Sequence, residues 1–160
     1  MFQQFNLLQK LSALENVELP LIYQGIGLSQ RKQQAKEALV KVGLESRMHH
    51  RPNQLSGGQQ QRVAIARAIA TRQALILADE PSGNLDSKSS REILMLFHEL
   101  HAAGNTILLI THDAHIAAEA DRRVRLVDGK IVTDSKYENE EEAAARLEAA
   151  DKAQKEGVTV

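Results

Sequence analysis

Three short stretches carry residue types at spacings that could do chemistry on an anion. The first is Leu55-Ser56-Gly57-Gly58-Gln59, followed by Gln60-Gln61-Arg62. Two adjacent glycines let backbone approach a ligand without a side chain in the way, and Ser56 can cap a helix that follows. Val63, Ala66 and Ala70 fall on one helical stripe with Ile65 and Ile69 beside it. A helix therefore starts here, with its unpaired N–H groups and positive dipole end at Gly57 to Gln59. Such an end suits an anion, although the same residues also make a plain capped loop. The second stretch is Asp79-Glu80, which closes the apolar run Ala74 to Ala78. Mg²⁺ takes one or two carboxylates together with waters and phosphate oxygens, so Asp79 suffices as a protein anchor. Glu80 is placed to polarise a water against a phosphate, a general-base role worth ~10²–10⁴ in rate. Two acids can also simply end a strand. The third is His112, after the apolar run Ile107 to Ile110. An imidazole there can bond a phosphate oxygen or hold an attacking water relative to Glu80, whereas a lone histidine is more often structural. His112, His115 and Glu119 also have helical metal-ligand spacing, but only one of the three is expected at a strand end, which argues against a metal cage. His49, His50, His98 and His101 read as surface residues.

Composition narrows the classes. At 160 residues and 42% hydrophobic, the chain is long enough for one domain with a core. A net charge of −1, with three Phe, two Tyr and no Trp, argues against a nucleic-acid surface. Arg122, Arg123 and Arg125 form a small patch that reads as solvated or partner-facing. No cysteine is present, so there is no disulfide framework, thiolate nucleophile or cysteine zinc site. The apolar runs fall far short of the ~20 residues that cross a bilayer, and the first residues lack a basic and an apolar region of signal type. A cytosolic location is expected, with any membrane role depending on another chain.

The elements that must position these residues follow from periodicity. Leu11, Leu14, Val17 and Leu19 predict a helix over 11–22 that ends near Pro20. Ser29 is expected to cap the next helix, in which Ala35, Ala38, Leu39 and Val42 share a face before Gly43 closes it. Ala74 to Ala78 reads as a strand buried on both faces. A helix from Ser87, with Ile93, Leu96, Phe97 and Leu100 inward, leads past Gly104 to the strand Thr106 to Thr111. This is a βαβ unit, whose right-handed crossover makes the strands parallel and brings Asp79 and His112 to carboxyl ends, the edge where ligands bind. A short helix over Ala114 to Ala120 precedes a hairpin turning at Asp128-Gly129. From Tyr137 to Gly157 the sequence is rich in Glu, Ala, Lys and Arg with pairs at i, i+4, a charged helix with no apolar face.

Taken together, these stretches resemble the ATP-binding cassette (ABC) ATPases. Leu55 to Gln59 resembles the signature motif, Ala74 to Glu80 the Walker B strand with its catalytic glutamate, and Ser82 to Asp86 the D-loop. Thr111-His112-Asp113 resembles the H-loop and Gln3 the Q-loop glutamine. Order and spacing agree over residues 2 to about 134. The resemblance implies a P-loop NTPase-like α/β core with a helical signature subdomain over about 6–72, a sheet part over about 73–134, and a charged tail at 137–160. It implies ATP and Mg²⁺ as cofactors, with Glu80, His112 and Gln3 catalytic, Asp79 and Gln3 at the metal, and Ser56, Gly57, Gly58, Gln59 and Asp86 at the nucleotide of an opposite subunit. It also implies a second ATPase subunit packed head to tail and a separate transmembrane permease as partners, no nucleic acid, and a peripheral place on the inner face of the membrane. Phe2 to Leu8, Glu15 to Leu21 and Gly83-Asn84 resemble the lipoprotein-releasing and macrolide-export group.

The sequence departs from the family in one respect. A Walker A loop, G-x-x-x-x-G-K-[ST], should cradle phosphates with backbone N–H groups and a lysine. The only Gly-Lys pair is Gly129-Lys130, with Val124 five positions before and Ile131 after it. In the family that loop lies before the Q-loop, so the chain is expected to be an N-terminally truncated cassette without useful ATP affinity of its own, its Walker B strand left with an exposed edge and apolar surface. Two other classes fit less well. A DNA-repair ABC ATPase would place a long coiled coil between Gln3 and Ser56, and a degenerate fragment that only binds or regulates a partner would not be expected to keep Asp79, Glu80 and His112.

Overall fold

A computed structural model describes residues 5–83 and 85–136. Gln3, Asn84 and the charged tail from Tyr137, for which the sequence raises expectations, lie outside the described residues. The chain falls into two compact units, divided between Ile110 and Thr111.

The first unit is built from helices around one core. Helix α1, Ala13–Tyr23, begins at Ser12, whose hydroxyl accepts from the Glu15 amide while the Glu15 carboxylate accepts from the Ser12 amide. Two orphan donors of the first turn are thus satisfied reciprocally. Pro20 lies inside the helix and does not end it. Leu21 is fully buried one residue later, and the stop falls at Gly25, whose φ of +72° closes the turn. Helix α2, Leu28–Lys41, starts at Gly27 with no side-chain cap, so Ser29 sits within the first turn and does not cap it. The Arg31 amide already donates to the Gly27 carbonyl, and glycine at this position costs only a few tenths of a kcal/mol relative to serine. Ala35, Ala38, Leu39 and Val42 are all buried, as their spacing predicts.

Two short 3₁₀ turns, Glu45–Arg47 and Pro52–Gln54, lead to helix α3, Gly57–Ala70, which packs on α1 and α2. Strand β1, Leu75–Asp79, then runs parallel to β2, Thr106–Ile110, across helix α4, Ser87–Ala102. The inward face of α4 is Ile93, Leu96, Phe97 and Leu100, as expected.

Burial of β1 on both faces is not observed. Ile76 and Ala78 point into the core, whereas Leu75 and Leu77 are 47% and 67% exposed, and Leu108 and Ile110 of β2 are exposed beside them. The core is supplied from the helices on one side, and among the described residues β1 pairs only with β2.

In the second unit the short helix α5, Ala114–Ala118, starts at Asp113, whose carboxylate accepts the His115 and Ile116 amides. Strands β3, Arg122–Val127, and β4, Lys130–Lys136, form the antiparallel hairpin. Asp128 and Gly129 both have positive φ, 49° and 74°, the geometry of a two-residue turn that matches the strand twist. Among the described residues no helix is long and apolar enough to cross a membrane.

Candidate functional site

The stretch Ser56 to Gln59 folds as its residues dictate. Ser56 is the cap of α3, with extended backbone, and its hydroxyl accepts the Gln59 amide at 3.3 Å. The Gln59 side-chain oxygen accepts the Ser56 amide in return at 3.0 Å. Ser56 and Gln59 thus lock each other. The Gln60 amide already bonds the Ser56 carbonyl. Two donors remain: among the described residues nothing accepts the Gly57 and Gly58 amides. A pair of unsatisfied N–H groups at the positive end of a 14-residue helix is a fit for phosphate oxygens.

The glycines have a second reason to be glycine. A Cβ on Gly58 would lie 3.1 Å from Ser89 Oγ and 3.2 Å from Ser89 Cβ, and one on Gly57 would lie 3.3 Å from Leu85 Cδ2 and 3.9 Å from Phe5 Cζ. The first turn of α3 therefore sits directly against the first turn of α4 and the residues before it. Asp86, expected at the nucleotide of an opposite subunit, caps α4. One carboxylate oxygen accepts the Lys88 and Ser89 amides, each at 3.0 Å, and the other accepts the Ser89 hydroxyl at 2.7 Å. These bonds, led by the Ser89 amide, hold its carboxyl below the ordinary aspartate range.

Asp79 is the last residue of β1, paired with Ile110, and by alternation shares the exposed face with Leu75 and Leu77. A carboxylate open to its surroundings can take a hard cation. Glu80 follows in the left-handed region, φ 46°, with its amide donating to the Ile110 carbonyl at 2.9 Å and its own carbonyl accepting from Gly83. That conformation costs a non-glycine residue on the order of 1 kcal/mol. Two backbone bonds hold Glu80 there at the strand's end.

His112 belongs to the second unit, where the neighbouring Asp113 amide donates to the Thr111 hydroxyl at 3.1 Å and Asp113 starts α5. Among the described residues no group of three His, Asp or Glu side chains could hold a metal ion. Arg122 is engaged by Asp134 through two bonds of 2.9 and 2.7 Å.

A capped glycine-led helix and a parallel strand pair closed by Asp79 and Glu80 thus share the core of one α/β domain. Residues 1–83, just over half of the chain, match the family described as ABC transporter, and the chain belongs to that family. It is 57% identical over 134 residues to a macrolide export ATP-binding/permease protein of Hyphomonas neptunium, covering 84% of this chain and 21% of that protein. An uncharacterized ABC transporter ATP-binding protein of Thermotoga maritima is 58% identical over 130 residues, 81% of this chain and 56% of that one. Among solved structures, the dimeric ATP-binding cassette MJ0796 in a post-hydrolysis state bound to ADP and phosphate superposes with a TM-score of 0.72 at 46% identity, covering 86% of this chain and 62% of that chain. The fold is that of an ABC ATPase cassette. The chain thus spans less than two thirds of the length of these relatives.

Proposed function

We propose that this chain is the signature and Walker B portion of an ATP-hydrolysing cassette that energises a separate membrane permease of export or lipoprotein-release type. The observation that carries the reading is the start of α3: two amides that a closed Ser56–Gln59 box leaves without acceptors among the described residues, at the positive end of a helix, on glycines. In this reading Gly57 and Gly58 present those amides to the terminal phosphate of ATP held by a second cassette packed head to tail, while Ser56 and Gln59 fix their geometry. Asp79 and Gln3 are assigned to Mg²⁺, which when bound would neutralise charge on the phosphates. Glu80 accepts the proton of the attacking water and His112 orients that water. Asp86, through its hold on Ser89, sets the wall that the signature glycines pack against. The names of several relatives, which are ATP-binding/permease proteins of macrolide export, support coupling to a permease, and the dimeric state of the neighbouring cassettes supports the pairing; a place on the inner face of the membrane belongs to the same reading. The partition at about 6–72 and 73–134 belongs to the same reading.

Because this sequence contains no phosphate-cradling glycine–lysine loop, the 160 residues alone should bind Mg-ATP poorly. The test compares Mg-ATP binding and steady-state turnover of the purified chain with those of the same chain extended upstream by whatever is encoded in frame. Turnover in the extended form only, abolished by Glu80→Gln, is expected. Glu80-dependent turnover by the short chain, or none by the extended one, would refute the reading.

A further inference from the structure

Among the described residues the segment Phe5–Leu8 has no β partner, yet side chains of two helices bond it at three of its four residues. Phe5 is half-buried against the core, with its ring beside Gly57, and Leu7 is buried. Arg67, two turns from the end of the signature box on α3, donates through Nη1 to the Asn6 carbonyl at 2.7 Å and through Nη2 to the Phe5 carbonyl at 3.2 Å. Two successive carbonyls converge on one guanidinium because Asn6 has φ 49°, a left-handed turn that asparagine tolerates better than most residues. Both bonds end on carbonyls. Partial burial pushes the Arg67 guanidinium down from its ordinary value, but an arginine stays protonated at neutral pH. From the other side Asn16 of α1, fully buried, accepts the Leu8 amide at 2.8 Å and donates to the carbonyls of Leu8, Leu11 and Ser12 at 3.2, 3.2 and 2.9 Å.

We infer that Arg67 is a positioning residue which, with Asn16, ties Phe5–Leu8 to α3 and α1, so that this segment and the signature glycines move as one body. The inference rests on the proposed function: Gln3 lies two residues upstream of the segment, and the tie links whatever Gln3 senses to the position of Gly57 and Gly58. A rigid fork reaching two carbonyls suits that role better than a point charge. Lysine can donate to one carbonyl well but not hold both.

The test uses the chain extended upstream in frame, with Arg67→Ala, Arg67→Lys and, as a control elsewhere on α3, Arg62→Lys. Two quantities are read: exchange of the Leu8 amide in the absence of nucleotide, and kcat and KM for ATP. The expected result for Arg67→Ala is faster Leu8 exchange with α3 protection intact, and kcat lowered about tenfold at unchanged KM, the mark of an interaction that matters after binding. Arg67→Lys should recover part of both. If Arg67→Ala fails to fold, Arg67→Lys against Arg62→Lys carries the comparison. Unchanged kcat alongside a released Leu8 amide overturns the linkage, and unchanged Leu8 exchange overturns the tie. Absence of turnover in the unsubstituted extended chain would sink the proposed function itself, a failure visible before any variant is made.

Discussion

Replacing Gly58 by alanine tests whether the signature glycines are demanded by packing within this chain as well as by a ligand. Helix propensity alone favours the change by up to ~1 kcal/mol, less in a first turn, and reduced freedom of the unfolded chain adds to that. Against it stand the contacts at 3.1 and 3.2 Å to Ser89. The hydroxyl could rotate only by giving up its 2.7 Å bond to Asp86, and the Ser89 Cβ cannot rotate at all, so the start of α4 must move by a few tenths of an ångström. Overpacking of this kind costs ~1–3 kcal/mol, and a strained charge-assisted bond adds to it. The net expectation is a loss of about 1–2 kcal/mol in the 160-residue chain without nucleotide, a fall in midpoint temperature of several degrees for a domain of this size. Urea unfolding of Gly58→Ala, Ser89→Gly and the double variant measures it. The two should couple favourably by at least ~0.5 kcal/mol, since Ser89→Gly removes both atoms in the way. Gly57→Ala is the internal comparison. Its closest neighbour is the tip of Leu85, a flexible side chain at 3.3 Å, so it should be near neutral. A Gly58→Ala chain as stable as the parent, or additive effects with Ser89→Gly, would refute the packing account and leave only the ligand to explain the glycine.

Two further outcomes follow from the geometry. Asp86 has its carboxyl held below the unperturbed 3.8 by its cap bonds, so its contribution is fully present above that pH and is lost as pH falls through the lower folded-state value. Amide shifts of Lys88 and Ser89 should show an acid step in the parent that is absent in Asp86→Asn, whose side chain still accepts both amides; the same step in Asp86→Asn would discard this assignment. On β1, Leu77→Ser should change the stability of the 160-residue chain by no more than ~0.5 kcal/mol because Leu77 is 67% exposed, while Ile76→Ala, 5% exposed on the opposite face, should cost about 2–4 kcal/mol. Equal losses at both positions in denaturant unfolding would mean that the face carrying Leu77 is covered.

Periodic apolar faces were legible in the sequence because each is decided by one helix meeting one core: the inward sides of α2, α3 and α4 fall where spacing puts them. So was the hairpin turn, where Asp128-Gly129 is chemically fit for two positive φ values. Ser56 as the cap of α3 was legible too. What escaped were features set by competition or distance, together with two local caps that the sequence does signal. Pro20 reads as the end of α1, but the helix runs through it to Tyr23 with Leu21 fully buried, and that burial outweighs one missing backbone bond. Ser29 lost the cap to Gly27, and Asp86 took a cap that the aspartate preceding Ser87 signals plainly. Ser12-x-x-Glu15 is likewise a capping-box signature. Arg67 carried no local signal, since its partners are about sixty residues away in sequence.

The placement of the acids shows how a site can be exact in one half and open in the other. Register between β1 and β2 pairs Asp79 with Ile110, and it is held by Ile76 and Ala78 entering the helical core. A slip of one residue would bury Asp79 and expose those two, so the core enforces where the carboxylate points. Glu80 then extends the pairing by one more bond to Ile110 before its backbone turns left-handed. Position along the strand is therefore fixed by hydrophobic burial on one face alone. The face that Asp79 itself occupies draws nothing from that core, with Leu75, Leu77, Leu108 and Ile110 all exposed around it. Apolar area of that extent gains ~25 cal/mol per Å² on being covered. The same covering that stabilises the sheet would enclose Asp79, lower the local dielectric, and strengthen the attraction of its carboxylate for a cation.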